Sequence, residues 1–178
     1  MIVLQDAVGA RFVDVLTDAC IAQVADEEYK ATLIKQGLFQ EDPVKRRIAL
    51  MVNPGNIDET SAAPRWANAN AGADKETIRV PAYEIGGGGF QYLRYTIEIS
   101  VFLVKTKEPQ DKSRNIGMSL FARTCKALDN LPIGITDELG YSAIQAYVKS
   151  SSPYESGGQG SYIWKGKVFV EVLVAKPL

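Results

Sequence analysis

The sequence predicts an α+β domain in which two main helices pack on one face of a mostly antiparallel β-sheet. Within residues 4–24, apolar residues recur at spacings of three and four, which is the pattern of an amphipathic helix. Apolar and polar residues alternate over 93–104 and again over 162–175, which is the pattern of strands with one buried face. These three observations require both a helical layer and a sheet.

The first half of the chain is predicted to contain the N-terminal helix, at residues 4–24, and one strand. Residues 27–40 are expected to add a further helical turn or two, with Gly37 as the residue that ends the helix. A strand is predicted at 47–53, because a β-prone run there ends in an Asn-Pro-Gly turn signal. Residues 56–77 show no sustained period and are predicted to form a long irregular loop.

The rest of the chain, from residue 78 onward, is predicted to add four strands and a second helix. Strands are predicted at 78–85, 93–104, 141–149 and 162–175, whereas the Ser-, Gly- and Pro-rich stretch 150–160 is predicted to be a turn. The element order is then α-β-β-β-α-β-β, with about five strands in a single domain over residues 1–178. The second helix has its apolar stripe at Ile116, Leu120, Phe121, Ala127, Leu128 and Leu131, and is expected to end at Pro132 and Gly134.

The composition argues against several functional classes. The chain has 178 residues, with 20 Lys and Arg against 21 Asp and Glu, whereas dedicated nucleic-acid binders usually carry a clear basic excess. It contains no histidine, which excludes the nucleophilic arrangements and metal sites that depend on imidazole. We therefore expect a protein that is not an enzyme and that needs no cofactor or metal.

The cysteines and the N-terminus suggest the compartment. Cys20 and Cys125 are too few for a disulfide framework and are not spaced for zinc. The N-terminus lacks a basic region and a cleavage site, and no apolar run is long enough to span a membrane. The expected product is intracellular and has no membrane partner.

Four consecutive glycines, Gly86, Gly87, Gly88 and Gly89, raise the question of a phosphate-binding loop. Such loops bind anions because they open a helix whose N-terminal amides face the ligand. Here the glycines precede a predicted strand, which favours a hairpin tip or a kink in the sheet. Paired carboxylates at 27/28, 58/59 and 137/138 are interpreted as solvated surface pairs.

Several residues could form a contact surface. Phe102, Val104, Phe169 and Leu173 are apolar residues on the predicted polar face of the sheet, where another subunit, the N-terminal extension or the long loop could cover them. Trp66 is unusual in an irregular loop, and it either folds back on the domain or meets a partner. Short basic patches lie at 45–47, at 105 and 107, and at 165 and 167; each is either a solvated face or a contact with nucleic acid or an acidic partner.

Two sequence blocks resemble the tail terminator proteins of tailed bacteriophages. The first is YEIGGGGFQYLRYTIEISVFLV at 83–104, and the second is YIWKGKVFVEVLV at 162–174, after a helix and a Gly/Ser-rich turn. The resemblance covers about residues 45–176 and depends on the layout and a few residues, without a catalytic motif. It implies a small α+β domain with a sheet backed by helices.

The resemblance also implies a function in virion assembly. Members of that family form a hexameric ring that caps the tail tube, ends its polymerisation and joins the tail to the head connector. DNA passes through the central channel without sequence recognition. The expected location is therefore the tail or neck of a virion assembled in the host cytoplasm. The candidate interface residues are Arg65, Trp66, Gly86, Gly87, Gly88, Gly89, Phe102, Lys165, Lys167, Phe169 and Leu173.

Three alternatives remain open on the sequence alone. The protein could be another neck component, such as a head-completion protein. It could be a small enzyme that uses carboxylates or Ser/Thr, although the absent histidine counts against this. It could also be a cellular adaptor domain with no relation to phage.

Overall fold

The computed structural model describes residues 2–25, 27–30, 32–37, 47–58, 90–104, 110–158 and 161–177. The helices are α1 (Ile2–Thr17), which continues into a π-helical turn (Asp18–Ala22), α2 (Glu27–Lys30) and α3 (Gln110–Leu128). The strands are β1 (Leu33–Gln36), β2 (Arg47–Asp58), β3 (Phe90–Val104), β4 (Pro132–Thr136), β5 (Ser142–Gly158) and β6 (Ser161–Ala175).

The predicted α+β class is confirmed, but the sheet differs from the expected one. Among the described residues it has six strands in the order β1-β2-β3-β6-β5-β4, and it is mixed because β1 pairs with β2 in parallel while the other pairs are antiparallel. β1 lies within residues 27–40, where the prediction of further helical turns holds only for Glu27–Lys30 and is wrong for 33–36. β4 begins at Pro132, which was expected to end the second helix, whereas that helix ends at Leu128. Both strands were missed because four and five residues are too few to show a period. The prediction of about five mostly antiparallel strands was therefore wrong in number and in pairing.

The central pair of strands sets the two faces of the sheet. β3 and β6 pair without a bulge from Phe90↔Ala175 to Val104↔Ser161. Because side chains alternate along a strand, the odd-numbered residues from Leu93 to Leu103 on β3 and the even-numbered residues from Trp164 to Val174 on β6 lie on one face. That face carries the main core. The opposite face is called the outer face below.

Two predicted turns are parts of strands. Of the predicted turn at 150–160, residues 150–158 belong to β5, because cross-strand pairing with β6 overrides the weak strand propensity of Ser, Gly and Pro, and residues 159–160 lie outside the described residues. The Asn-Pro-Gly signal at 53–55 lies inside β2, where the register with β3 shifts between Pro54 and Ile57. It makes a strand irregularity and not a reversal.

Some predictions fall outside the described residues. These are the strand at 78–85, the glycines 86–89 and, beyond Asp58 in β2, the loop predicted at 56–77. The first helix was predicted to residue 24, but the α-helix ends at Thr17 and the π turn follows it.

The N-terminal helix fills the space between distant parts of the sheet. The apolar stripe of α1 is fully buried and consists of Leu4, Val8, Phe12, Leu16 and, in the π turn, Cys20. α1 contacts β1, β2, β4 and α3, whereas α3 contacts β3, β5 and β6. Both main helices therefore cover the same face, as predicted. Within the described ranges, no helix has the length and apolarity needed to cross a membrane.

Aromatic, hydrogen-bond and close-packing contacts hold α1 against the sheet. The ring of Phe12 meets that of Tyr95 edge-on at a centroid distance of 5.0 Å, and the Tyr95 hydroxyl donates to the Gln5 carbonyl at 2.6 Å. The side chain of Gln36 in β1 lies over Gly9, where a Cβ atom would come within 2.6 Å of its Oε1. The short strand β1 is thus held to α1 by the close approach that Gly9 permits.

Trp164 joins α3 to the centre of the sheet. Its indole is buried between two glycines, and a Cβ atom at Gly117 would lie 2.2 Å from its Cδ2, while one at Gly166 would lie 2.7 Å from its Cη2. Phe121 contacts the indole edge-on at 6.0 Å between centroids. The absence of two side chains therefore creates the space that the largest buried residue occupies.

We expect Gly117→Ala to destabilise the protein. In an unobstructed helix the change would stabilise by about 1 kcal/mol, because Ala has the higher helix propensity. Here the new methyl group overlaps the Trp164 indole, so overpacking should lower the free energy of unfolding by about 1–3 kcal/mol. Urea unfolding measures the change, with Asn115→Ala, at an exposed position of α3, as the control that should not destabilise. A Gly117→Ala variant more stable than the wild type would contradict the packing.

Candidate interaction surface

Five of the predicted interface residues lie on one face of the sheet. Phe102 on β3, and Lys165, Lys167, Phe169 and Leu173 on β6, all have the strand parity of the outer face. The sheet register spreads them along two adjacent strands. The other candidates, which are Arg65, Trp66, Gly86, Gly87, Gly88 and Gly89, lie outside the described residues.

The predicted apolar patch on this face is smaller than expected. Phe102 and Leu173 are each only 4% exposed, so they are already covered within the chain. Leu173 packs with Phe90 and with the half-buried Tyr92 and Tyr147 on neighbouring strands. Phe169 is 38% exposed, and the side chain of Val104 lies outside the described set. Phe169 is therefore the exposed aromatic residue among the described candidates.

Ion pairs lie on both sides of Phe169 along the strand. Lys167 Nζ lies 3.1 Å from Glu98 Oε1. On the other side, Glu171 meets Arg94 Nε at 3.4 Å and Lys149 Nζ at 3.3 Å. The basic residues that flank Phe169 are paired with acidic residues nearby. The outer face around Phe169 therefore carries charges of both signs and is not a uniformly basic patch.

The arrangement around Phe169 suits contact with another macromolecule. Thr96 and Ser150 lie opposite Phe169 on the two neighbouring strands, so small polar residues surround the ring. Protein interfaces combine an aromatic anchor with a polar rim in this way. Lys165 lies opposite Ser100 on the same face. This pair is two residues along each strand from the pair of Lys167 and Glu98. Within the described ranges, no three acidic or cysteine side chains are grouped so that they could hold a metal ion.

A groove on the helical side was not predicted from the sequence. It has a volume of about 520 Å³ and lies between α1, its π turn and α3. Val15 and Ala127 contribute apolar surface, and the charged lining residues are Arg11, Asp14, Asp18, Arg123 and Lys126. Spacings of three and four place each helix's charges on one side, but no pattern in the sequence indicates that these two sides face each other.

The π turn at this groove is held from α3. Nη1 of Arg123 donates to the Ala19 carbonyl at 3.4 Å. The adjacent Cys20 thiol is buried beside Thr124, and burial raises its pKa to about 11, although the nearby Thr124 hydroxyl and the Arg123 charge act in the opposite direction. Cys20 is thus a neutral core residue.

Comparisons with known proteins do not assign the chain to a family. No protein-family model matches the sequence, and no curated protein matches it. One solved structure, of a protein whose name describes no function, aligns with 94% of this chain and 94% of its own at 13% identity and a TM-score of 0.45. A similarity at this level carries no argument about activity or partners.

We expect stability to fall between about pH 9 and 11, partly because of Cys20. The unfolded thiol ionises near its ordinary pKa of 9.0, whereas the folded thiol stays neutral to about 11, so the unfolded state gains stability as the pH rises through this window. The contribution is about 2–3 kcal/mol. Unfolding of the wild type and Cys20→Ala should therefore show a stability difference that shrinks across the window. Parallel pH profiles would contradict this burial of Cys20.

The two phenylalanines of the outer face should differ in their effect on stability. Phe102→Ala removes a buried ring and should lower the free energy of unfolding by about 3–5 kcal/mol. Phe169→Ala removes a partly exposed ring and should change it by no more than about 1 kcal/mol. Denaturant unfolding of both variants checks the difference, and equal losses would show that Phe169 belongs to the core.

Proposed function

We propose that the protein is a structural component of a phage virion that acts as a tail terminator. Its copies form a ring, hexameric by resemblance, that caps the tail tube and ends its polymerisation. The ring joins the tail to the head connector, and DNA passes through its channel without sequence recognition. The protein then resides in the tail or neck and is assembled in the host cytoplasm.

One observation carries the proposal. The two sequence blocks that resemble tail terminators include β3 and nearly all of β6, and these strands pair with each other along their whole length. The described parts of the two blocks therefore belong to one continuous surface, although more than fifty residues separate the blocks in the chain. The outer side of that surface carries Phe169 and the flanking ion pairs. These features support a part that works through shape and contact.

The proposal predicts that the purified protein forms rings with a central hole. Electron microscopy and light scattering over a range of salt concentrations measure this. Added to polymerising tube protein, the protein should also stop elongation. A monomer under all salt conditions, together with normal tail assembly in its absence, would contradict the proposal. Binding to the connector without any effect on tube length would instead assign it to head completion.

Two variants separate the outer face from the rest of the surface. Phe169→Ala should weaken ring formation or tube capping by at least about tenfold if Phe169 is an interface anchor. Met118→Ala is the matched control, because Met118 is 44% exposed and lies on α3, which packs on the opposite face. The same loss in both variants would show that the outer face has no special part in assembly.

A further inference from the structure

The first part of β5 has hydrogen-bonding partners on both edges. One edge pairs with β6, and β4 pairs with the other edge at the beginning of the strand. Beyond β4, the Ala146 N–H donates to the Leu131 carbonyl at 2.8 Å. The Val148 N–H donates to Oδ1 of Asp129 at 3.1 Å. The described backbone hydrogen bonds of this edge therefore extend as far as Val148.

The second part of β5, residues 149–158, pairs with β6 alone within the part of the chain that the structure describes. A register shift between Val148 and Ser150 marks where this part begins. Residues 149–153 are all exposed. Among the described residues, no strand therefore pairs with the second edge of this stretch of about ten extended residues. This segment is called the free edge below.

The free edge has only part of the protection that natural sheets give to such strands: its charged and proline residues are Lys149, Pro153 and Glu155. Proline and charged side chains usually block strand addition at an edge. Pro153 removes one backbone N–H, and the Lys149 ammonium lies 3.3 Å from Glu171 Oε2 on the outer face. The three serines at 150–152 are small and exposed. Most backbone donors and acceptors of the free edge thus remain open to a partner strand.

A second edge without a described partner strand lies at the opposite end of the sheet. β1 pairs with β2 in parallel, from Leu33↔Ala49 to Gln36↔Val52, and it is the terminal strand of the described sheet. Leu33, Lys35 and Gln36 are exposed. The sheet therefore has two different edges that could each add a strand.

We propose that β1 of one copy adds to the free edge of β5 in the next copy. Contact between two different surfaces of identical chains is heterologous, and such contacts generate a ring when the rotation closes. The four residues of β1 are enough to pair with part of the free edge. The six-stranded sheets would then be continuous around the ring. The inference rests on the proposed function, since it supplies the lateral contact that a ring needs.

Hydrogen–deuterium exchange of the full-length protein tests the contact. Backbone amides are compared between concentrations at which light scattering shows assembly and dilutions at which it shows monomer. We expect the backbone amides within 33–36 and 149–158 that point away from β2 and β6 to exchange at least about tenfold more slowly in the assembled protein. The already bonded amides of Ala146 and Val148 are the internal control and should not change.

The outcomes separate this contact from the proposed function. Slower exchange of both edges on assembly supports the contact. Rings in which neither edge changes, or in which only the β5 edge changes, overturn it and leave the terminator proposal standing. Protection of the free edge only when tube protein is added also overturns it, because the occupant is then another protein. A protein that stays monomeric at every concentration contradicts both.

Discussion

Fifteen residues of β3 pair with fifteen of β6 in one register, and most other features of the fold depend on this pairing. The alternation along both strands sends one set of side chains to the helices and the other to the outer face. A slip of one residue would exchange the two sets and expose the core. The position of Trp164 against α3, and that of Phe169 on the opposite face, are therefore consequences of a single register.

The sequence was informative where the period of the apolar residues matched the element. The long alternation at 93–104 and the helical stripe beginning at Leu4 correctly predicted β3 and α1. β1 and β4 were missed because neighbouring strands supply their hydrogen bonds, and their own residues show no pattern. The second half of β5 was missed for a related reason: serine, proline and glycine favour turns, and only pairing with β6 keeps them extended.

The candidate surface was predictable in direction but not in burial. Strand parity alone placed Phe102, Lys167, Phe169 and Leu173 on one face, and the structure has them there. Burial depends on which side chains flank each residue on other strands, and this requires the register. Leu173 is covered by aromatic rings from β3 and β5, whereas Phe169 has Thr96 and Ser150 as neighbours. The groove beside Arg123 could not be predicted, because it forms only where two helices pack together and no local sequence pattern specifies that packing.

The place of α1 between β1 and β4 has a consequence for the order of folding. α1 is near the start of the chain, but it packs against β4 and α3, which lie more than ninety residues later. During synthesis the part of its apolar stripe that faces β4 and α3 therefore stays uncovered until those elements have been made. Contacts of such long sequence separation slow folding, because a large loop must close before they form. A nascent or truncated chain lacking β4 would expose this stripe and be prone to aggregate.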